Sequence, residues 1–61
     1  MSKFLYDIML DGNFVCNSGE MTFDSEKAAR SDAKILIAQE LVDEFEVSSN
    51  RFEIITYKAA Y

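Results

Sequence analysis

Between Lys3 and Leu10 the residues Phe4, Tyr6, Ile8 and Leu10 alternate with Lys3, Leu5, Asp7 and Met9, the two-residue period of a β-strand. Asp11-Gly12 then marks a tight turn into a second strand. Register decides how many residues turn, because a slip of one residue sends every side chain to the other face. A two-residue turn would set Leu10 against Asn13 and Ile8 against Val15. A three-residue loop, Asp11 to Asn13, sets Leu10 against Phe14 and Ile8 against Cys16 and keeps the more apolar face. It also puts Asn13, which tolerates positive φ, at the position that needs it. The longer loop is therefore expected, with the second strand from Phe14 to about Asn17. Ser18-Gly19-Glu20 breaks the pattern before a short Met21 to Phe23 segment.

The period then changes to that of a helix starting at Asp24 and Ser25. Asp24 is placed to cap it, Phe23 and Ala28 to form a staple across the cap, and Glu26 to suit the positive end of the dipole. The apolar spacing carries the helix to about Glu44 or Phe45. Its buried stripe reads Ala28, Ser31, Ile35, Ala38, Val42 and Phe45, in steps of three and four, with Leu41 alongside. Ala29, Ala33 and Leu36, with Glu40, form a second, outer stripe. Ser48-Ser49-Asn50 ends the connection, and the β-branched and aromatic run Phe52 to Tyr57 predicts a third strand.

Strand, strand, helix, strand is an α+β order. The helix returns the chain to the start of the sheet, so the third strand runs antiparallel to the first and lies beside it, giving a ββαβ, three-stranded antiparallel sheet of order 2-1-3. One helix covers one face, where Ile35, Val42 and Phe45 are expected to meet Tyr6, Ile8 and Leu10. The other face carries Leu5, Met9, Val15 and either Ile55 and Tyr57 or Phe52 and Ile54. It calls for a cover.

The 61 residues fit one small domain, 1–61, and a chain this short buries only about 60% of its unfolded surface. A second copy is therefore an expected aid to stability, packed on Leu5, Met9, Ile55 and Tyr57 in a homodimer. At 49% hydrophobic and 28% charged the chain is too apolar for disorder. Six basic against eleven acidic residues leave a net charge of −5, which argues against general affinity for nucleic acid and for a protein partner with a basic surface. A single cysteine, Cys16, forms no internal disulfide and points to a reducing, cytoplasmic setting. Phe4, Leu5 and Tyr6 are followed by Asp7, too short an apolar run for a signal peptide. The longest later run, Ile35 to Ala38, falls far below the roughly twenty residues of a membrane span.

Without histidine, Ser-His-Asp and Cys-His nucleophilic arrangements are excluded and the commonest zinc ligand is missing. Cys16 reads as a small buried hydrophobe on the core face. Asp11-Gly12-Asn13 opens like a calcium loop, but Val15 stands where the next ligand belongs and no Glu closes it. Gly12 and Gly19, without a following Lys, make no phosphate cradle. No metal, cofactor or catalytic residue is expected. The dense feature is Glu40, Asp43, Glu44 and Glu46, four carboxylates within seven residues at a helix C-terminus, where the dipole disfavours them. A solvated helix end accounts for such a run; so does an acidic docking surface.

A compact acidic chain with YDIMLDG in a hairpin and FDSEKAARSDA opening a helix resembles the small accessory proteins encoded by bacteriophages. That resemblance implies a non-enzymatic protein that binds and inhibits or redirects a host protein, in the host cytoplasm. Two readings of different class result: a binding module using the acidic helix end, and a small homo-oligomeric assembly subunit whose charges only keep it soluble. An enzyme with a site between subunits is the third.

Overall fold

The computed structural model describes residues 2–60. β1 (Phe4–Leu10) lies between β2 (Asn13–Asn17) and β3 (Phe52–Lys58), antiparallel to both. A helical stretch crosses one face of this sheet. The ββαβ order and the central place of β1 are those that the alternation predicts.

The β1–β2 hairpin combines the registers of the two-residue and the three-residue loop. Asp11 (φ 52°) and Gly12 (φ 82°) form a two-residue turn, both with the positive φ that a type I′ turn requires. Leu10 consequently faces Asn13, and Met9 faces Phe14. Val15 is then an extra residue, a β-bulge, beyond which Ile8 faces Cys16 as the longer loop required. Three expectations change. Asn13 is not the left-handed residue; Phe14 faces Met9 rather than Leu10; and Val15 packs against the core instead of lying on the open face. A bulge inserts one residue without disturbing the pairing beyond it, so both alternatives hold on different stretches of one hairpin. Past β2, Ser18 N–H donates to Tyr6 O and Tyr6 N–H to Ser18 Oγ, and Phe23 returns to pair with Phe4.

Ser25 caps the helix, its side chain accepting from Ala28 N–H. Asp24, the expected cap, instead takes the Lys3 ammonium. Ala28 is exposed, so the Phe23–Ala28 staple does not form. The helical stretch has three parts: α1 (Glu26–Leu36), a π turn (Ile37–Leu41) in which Val42 N–H reaches back five residues to Ile37 O, and α2 (Val42–Phe45). It ends at Glu46, in the left-handed region at φ 56°.

The buried face of this stretch is not the predicted one. Ala29, Ala33, Ile37 and Leu41 are buried with Tyr6, Ile8 and Phe52, so the outer stripe of Ala29 and Ala33 is the core stripe. Ala28, Ser31, Ile35, Ala38 and Phe45 are exposed, Ile35 by 53% and Phe45 by 40%, and Val42 is half-buried. Two physical reasons account for the change. Alanines let the helix sit close on a sheet face already filled by Tyr6 and Ile8. The step between core residues is four each time, and on an α-helix that overshoots a full turn by about 40°. From Ala29 to Leu41 the stripe would drift by about 120°, off the sheet. The π turn holds more residues per turn and takes up much of that drift, returning Leu41 to the core. Phe45, though exposed at one side, meets Phe52 edge-on with ring centroids 6.1 Å apart.

Phe52 and Ile54 turn inward on β3, while Ile55 and Tyr57 face the uncovered side. Among the described residues no helix is long and apolar enough to cross a membrane.

Candidate functional site

β1 runs away from the end where Phe23 pairs with Phe4 and reaches Leu10, which faces Asn13 on one side and Phe52 on the other. The helix begins at the first end and finishes at the second. The β1–β2 turn, the last helical turns and the start of β3 therefore meet. Of eleven acidic residues, six belong to these segments: Asp11, Glu40, Asp43, Glu44, Glu46 and Glu53. All six are exposed. Of six basic residues only Arg51 lies there, and it is already paired with Asp11. The net −5 of the chain thus resides at one end of it.

The four sequence-predicted carboxylates divide over that end. Glu40 and Glu44 lie near Cys16 on β2, since their charge joins burial in pushing the Cys16 thiol above its ordinary range. Glu46 borders a shallow recess with Val42, Val47, Ser48 and Arg51. Asp43 stands exposed between them in sequence.

Nucleophiles are poorly served by this arrangement. Cys16 is half-buried and held protonated by burial and by the two carboxylates. Tyr6 is 2% exposed; burial, and then its hydroxyl bond to Asp32 Oδ2 at 2.9 Å, hold it well above the usual phenol range. Among the described residues no group of three or more Cys, Asp or Glu is placed to hold a metal ion.

Leu5, Met9, Ile55 and Tyr57, the sequence-predicted oligomer interface, do share the open sheet face. Leu5 pairs directly with Tyr57, and Met9 with Phe14 across the other edge. Phe14 at 57%, Ile55 at 43% and Tyr57 at 39% are the exposed members. Asp7 stands in the middle row between Asn17 and Ile55 and accepts the Tyr57 hydroxyl bond at 3.2 Å.

No family model, curated protein or solved structure matches the chain. A functional reading of the molecule therefore rests on its geometry.

Sequence reasoning misses two contributors. Phe14 belongs to the open face only because of the bulge, which no residue type near it announces. Asp32 reads as an ordinary helical surface residue, although its spacing of three from Ala29 places it beside the alanine face.

Proposed function

We propose that this chain is a non-enzymatic protein-binding module that engages a basic protein surface through Glu40, Asp43, Glu44 and Glu46. The observation that supports it most is the concentration of the net charge at one end, on exposed side chains, with Arg51 as the one cation there and already paired. Charges so arranged steer a basic partner and select it more than they hold it. The resemblance to bacteriophage accessory proteins adds that engagement inhibits or redirects a host protein. Replacing the four carboxylates by Gln and Asn tests the reading against a partner identified by cross-linking in the lysate. Affinity is expected to fall, and to fall for the parent as salt rises and the Debye length drops below about 8 Å. Unchanged affinity at every salt concentration would move the function elsewhere.

A second reading has its own support in the open sheet face, where Phe14, Ile55 and Tyr57 are exposed beside Leu5 and Met9. A second copy of the chain would cover it, with Asp7 bonded by Tyr57 at the centre. Light scattering decides this: a mass near 7.0 kDa at high micromolar concentration removes the dimer.

A further inference from the structure

Between α1 with its π turn and the loop that follows β2 runs a groove of about 310 Å³. Tyr6 and Ser18 border it on the sheet side, Asp32 and Glu40 on the helix, and the apolar side chains of Met21 and Ile35 stand at its margins. Both margins are open to solvent, Met21 at 55% and Ile35 at 53% exposed. Gln39 and Asn17 complete the lining with neutral polar groups, and no Lys or Arg is part of it.

Two properties of the groove point to one kind of occupant. Asp32 is fixed: Tyr6 donates to its Oδ2, and Oδ1 accepts no hydrogen bond from the described residues. Glu40 is exposed on the same flank, brought there by the π turn. Two carboxylates without a resident cation favour an incoming one. Apolar margins on either side favour a long aliphatic stem, and flanking apolar residues, over a compact ion. Methionine at such a margin adapts to the shape it meets.

We propose that this groove receives an arginine side chain, flanked by apolar residues, from the basic protein partner. The guanidinium bonds Asp32 Oδ1 and the Glu40 carboxylate, with its planar fork matched to carboxylate geometry. Its stem and its neighbours pack on Met21 and Ile35. This rests on the reading of the chain as a module for a basic partner, and adds to it a specific pocket beside the diffuse acidic end.

The probe is N-acetyl-Leu-Arg-Leu-amide, titrated into isotope-labelled protein and followed by NMR, with the citrulline peptide as a neutral control of the same shape. Saturable shifts are expected at Asn17, Asp32, Gln39 and Glu40. Losing one charge-assisted bond is expected to weaken binding about tenfold for the citrulline peptide and for Asp32→Asn. The asparagine oxygen still accepts from Tyr6, so the fold is expected to persist. Glu40→Gln, at an exposed position, gives a second variant independent of that bond, and Ile35→Ser is expected to weaken binding several-fold. Equal binding of the citrulline peptide, or no loss in both carboxylate variants, overturns the pocket. An octalysine peptide separates the two proposals, read on the double variant Asp43→Asn, Glu46→Gln, which lies outside the groove. Loss of octalysine binding there, with no saturable site for the arginine peptide, removes the pocket and leaves the acidic end. A saturable arginine site with octalysine unaffected does the reverse.

Discussion

The two flanks of the helix treat the sheet beside them in opposite ways. On the β3 side Arg30 reaches across to the strand, with Nη1 donating to Ile54 O at 3.3 Å and Nη2 to Thr56 Oγ1 at 3.4 Å. Thr56 in turn donates to Glu26 at 3.5 Å. Ala59 N–H donates to Lys3 O, so by the alternation of an antiparallel ladder Ile54 turns its carbonyl outward, to the free edge. The guanidinium occupies an acceptor that another strand would otherwise use. On the β2 side the helix presents Asp32, Glu40 and Glu44, which have no cation to meet and border an open groove. Charge of one sign closes an edge that offers carbonyls. Charge of the other sign, over a strand whose neighbours are already satisfied, leaves a flank ready to receive.

The strongest way to break this comparison is to loosen the contact that serves both flanks. Ile37 is 4% exposed in the middle of the core stripe, and Ile37→Ala is expected to cost about 2–5 kcal/mol, enough to unfold much of a domain this small. Ile35→Ala, on the acidic flank alone, is expected to stay within about 0.5 kcal/mol of the parent. Urea denaturation of the pair checks both, and the reverse order would restore the stripe that the 3.6-residue period predicts.

That stripe marks the limit of what the sequence makes legible. Alternation along Lys3 to Leu10, apolar on both faces, is enough to place β1 in the centre and to order the sheet. The helix is legible as a helix, but its face is not: large residues at Ile35, Val42 and Phe45 outweigh two alanines in any hydrophobic count, while close approach to a filled sheet favours the alanines. The π turn has no residue signature of its own, and it sets where Glu40 and Glu44 point. The acidic run is therefore readable as composition, and its division between the groove and the helix tip is not.

The acidic flank is sharpened by Tyr6→Phe, which removes the hydroxyl bond to Asp32 and is expected to cost about 0.5–1.5 kcal/mol. Its pH dependence has a definite sign. The phenol of Tyr6 is raised in the folded state, so its contribution is fully present below the unfolded value of about 10 and fades as pH rises beyond it. Thermal melts from about pH 8 to about 11 are expected to fall less steeply at the alkaline end for the variant than for the parent.

On the basic flank, Arg30→Gln uncovers the Ile54 carbonyl. Both groups are near the surface, so stability is expected to drop by no more than about 1 kcal/mol. Self-association through the β3 edge is the more telling readout, and sedimentation at rising concentration is expected to show heavier species in the variant alone.

The smallest effect expected is a gain. Glu46 closes the helix at φ 56°, a conformation that costs a non-glycine residue about 1–2 kcal/mol, against which glycine loses about 0.5–1 in chain entropy. Glu46→Gly is expected to raise stability by a few tenths of a kcal/mol to about 1, measured by urea midpoint at neutral pH. A loss instead would mean that the Glu46 side chain, next to Arg51 in its recess, contributes more than its backbone costs.

The π turn between Ile37 and Leu41 has a consequence for how such a chain diversifies. A turn of this kind holds one residue more than the α-helical path would, so a single-codon deletion within it yields an unbroken α-helix rather than a broken one. Everything after the deletion rotates by about 100°, and Glu44 is carried away from Cys16 while Leu41 leaves the core. An insertion elsewhere in the helix does the converse. Small changes in length, rather than substitutions, are thus the cheapest route by which a descendant gene could reassign which flank is acidic and which partner the molecule meets.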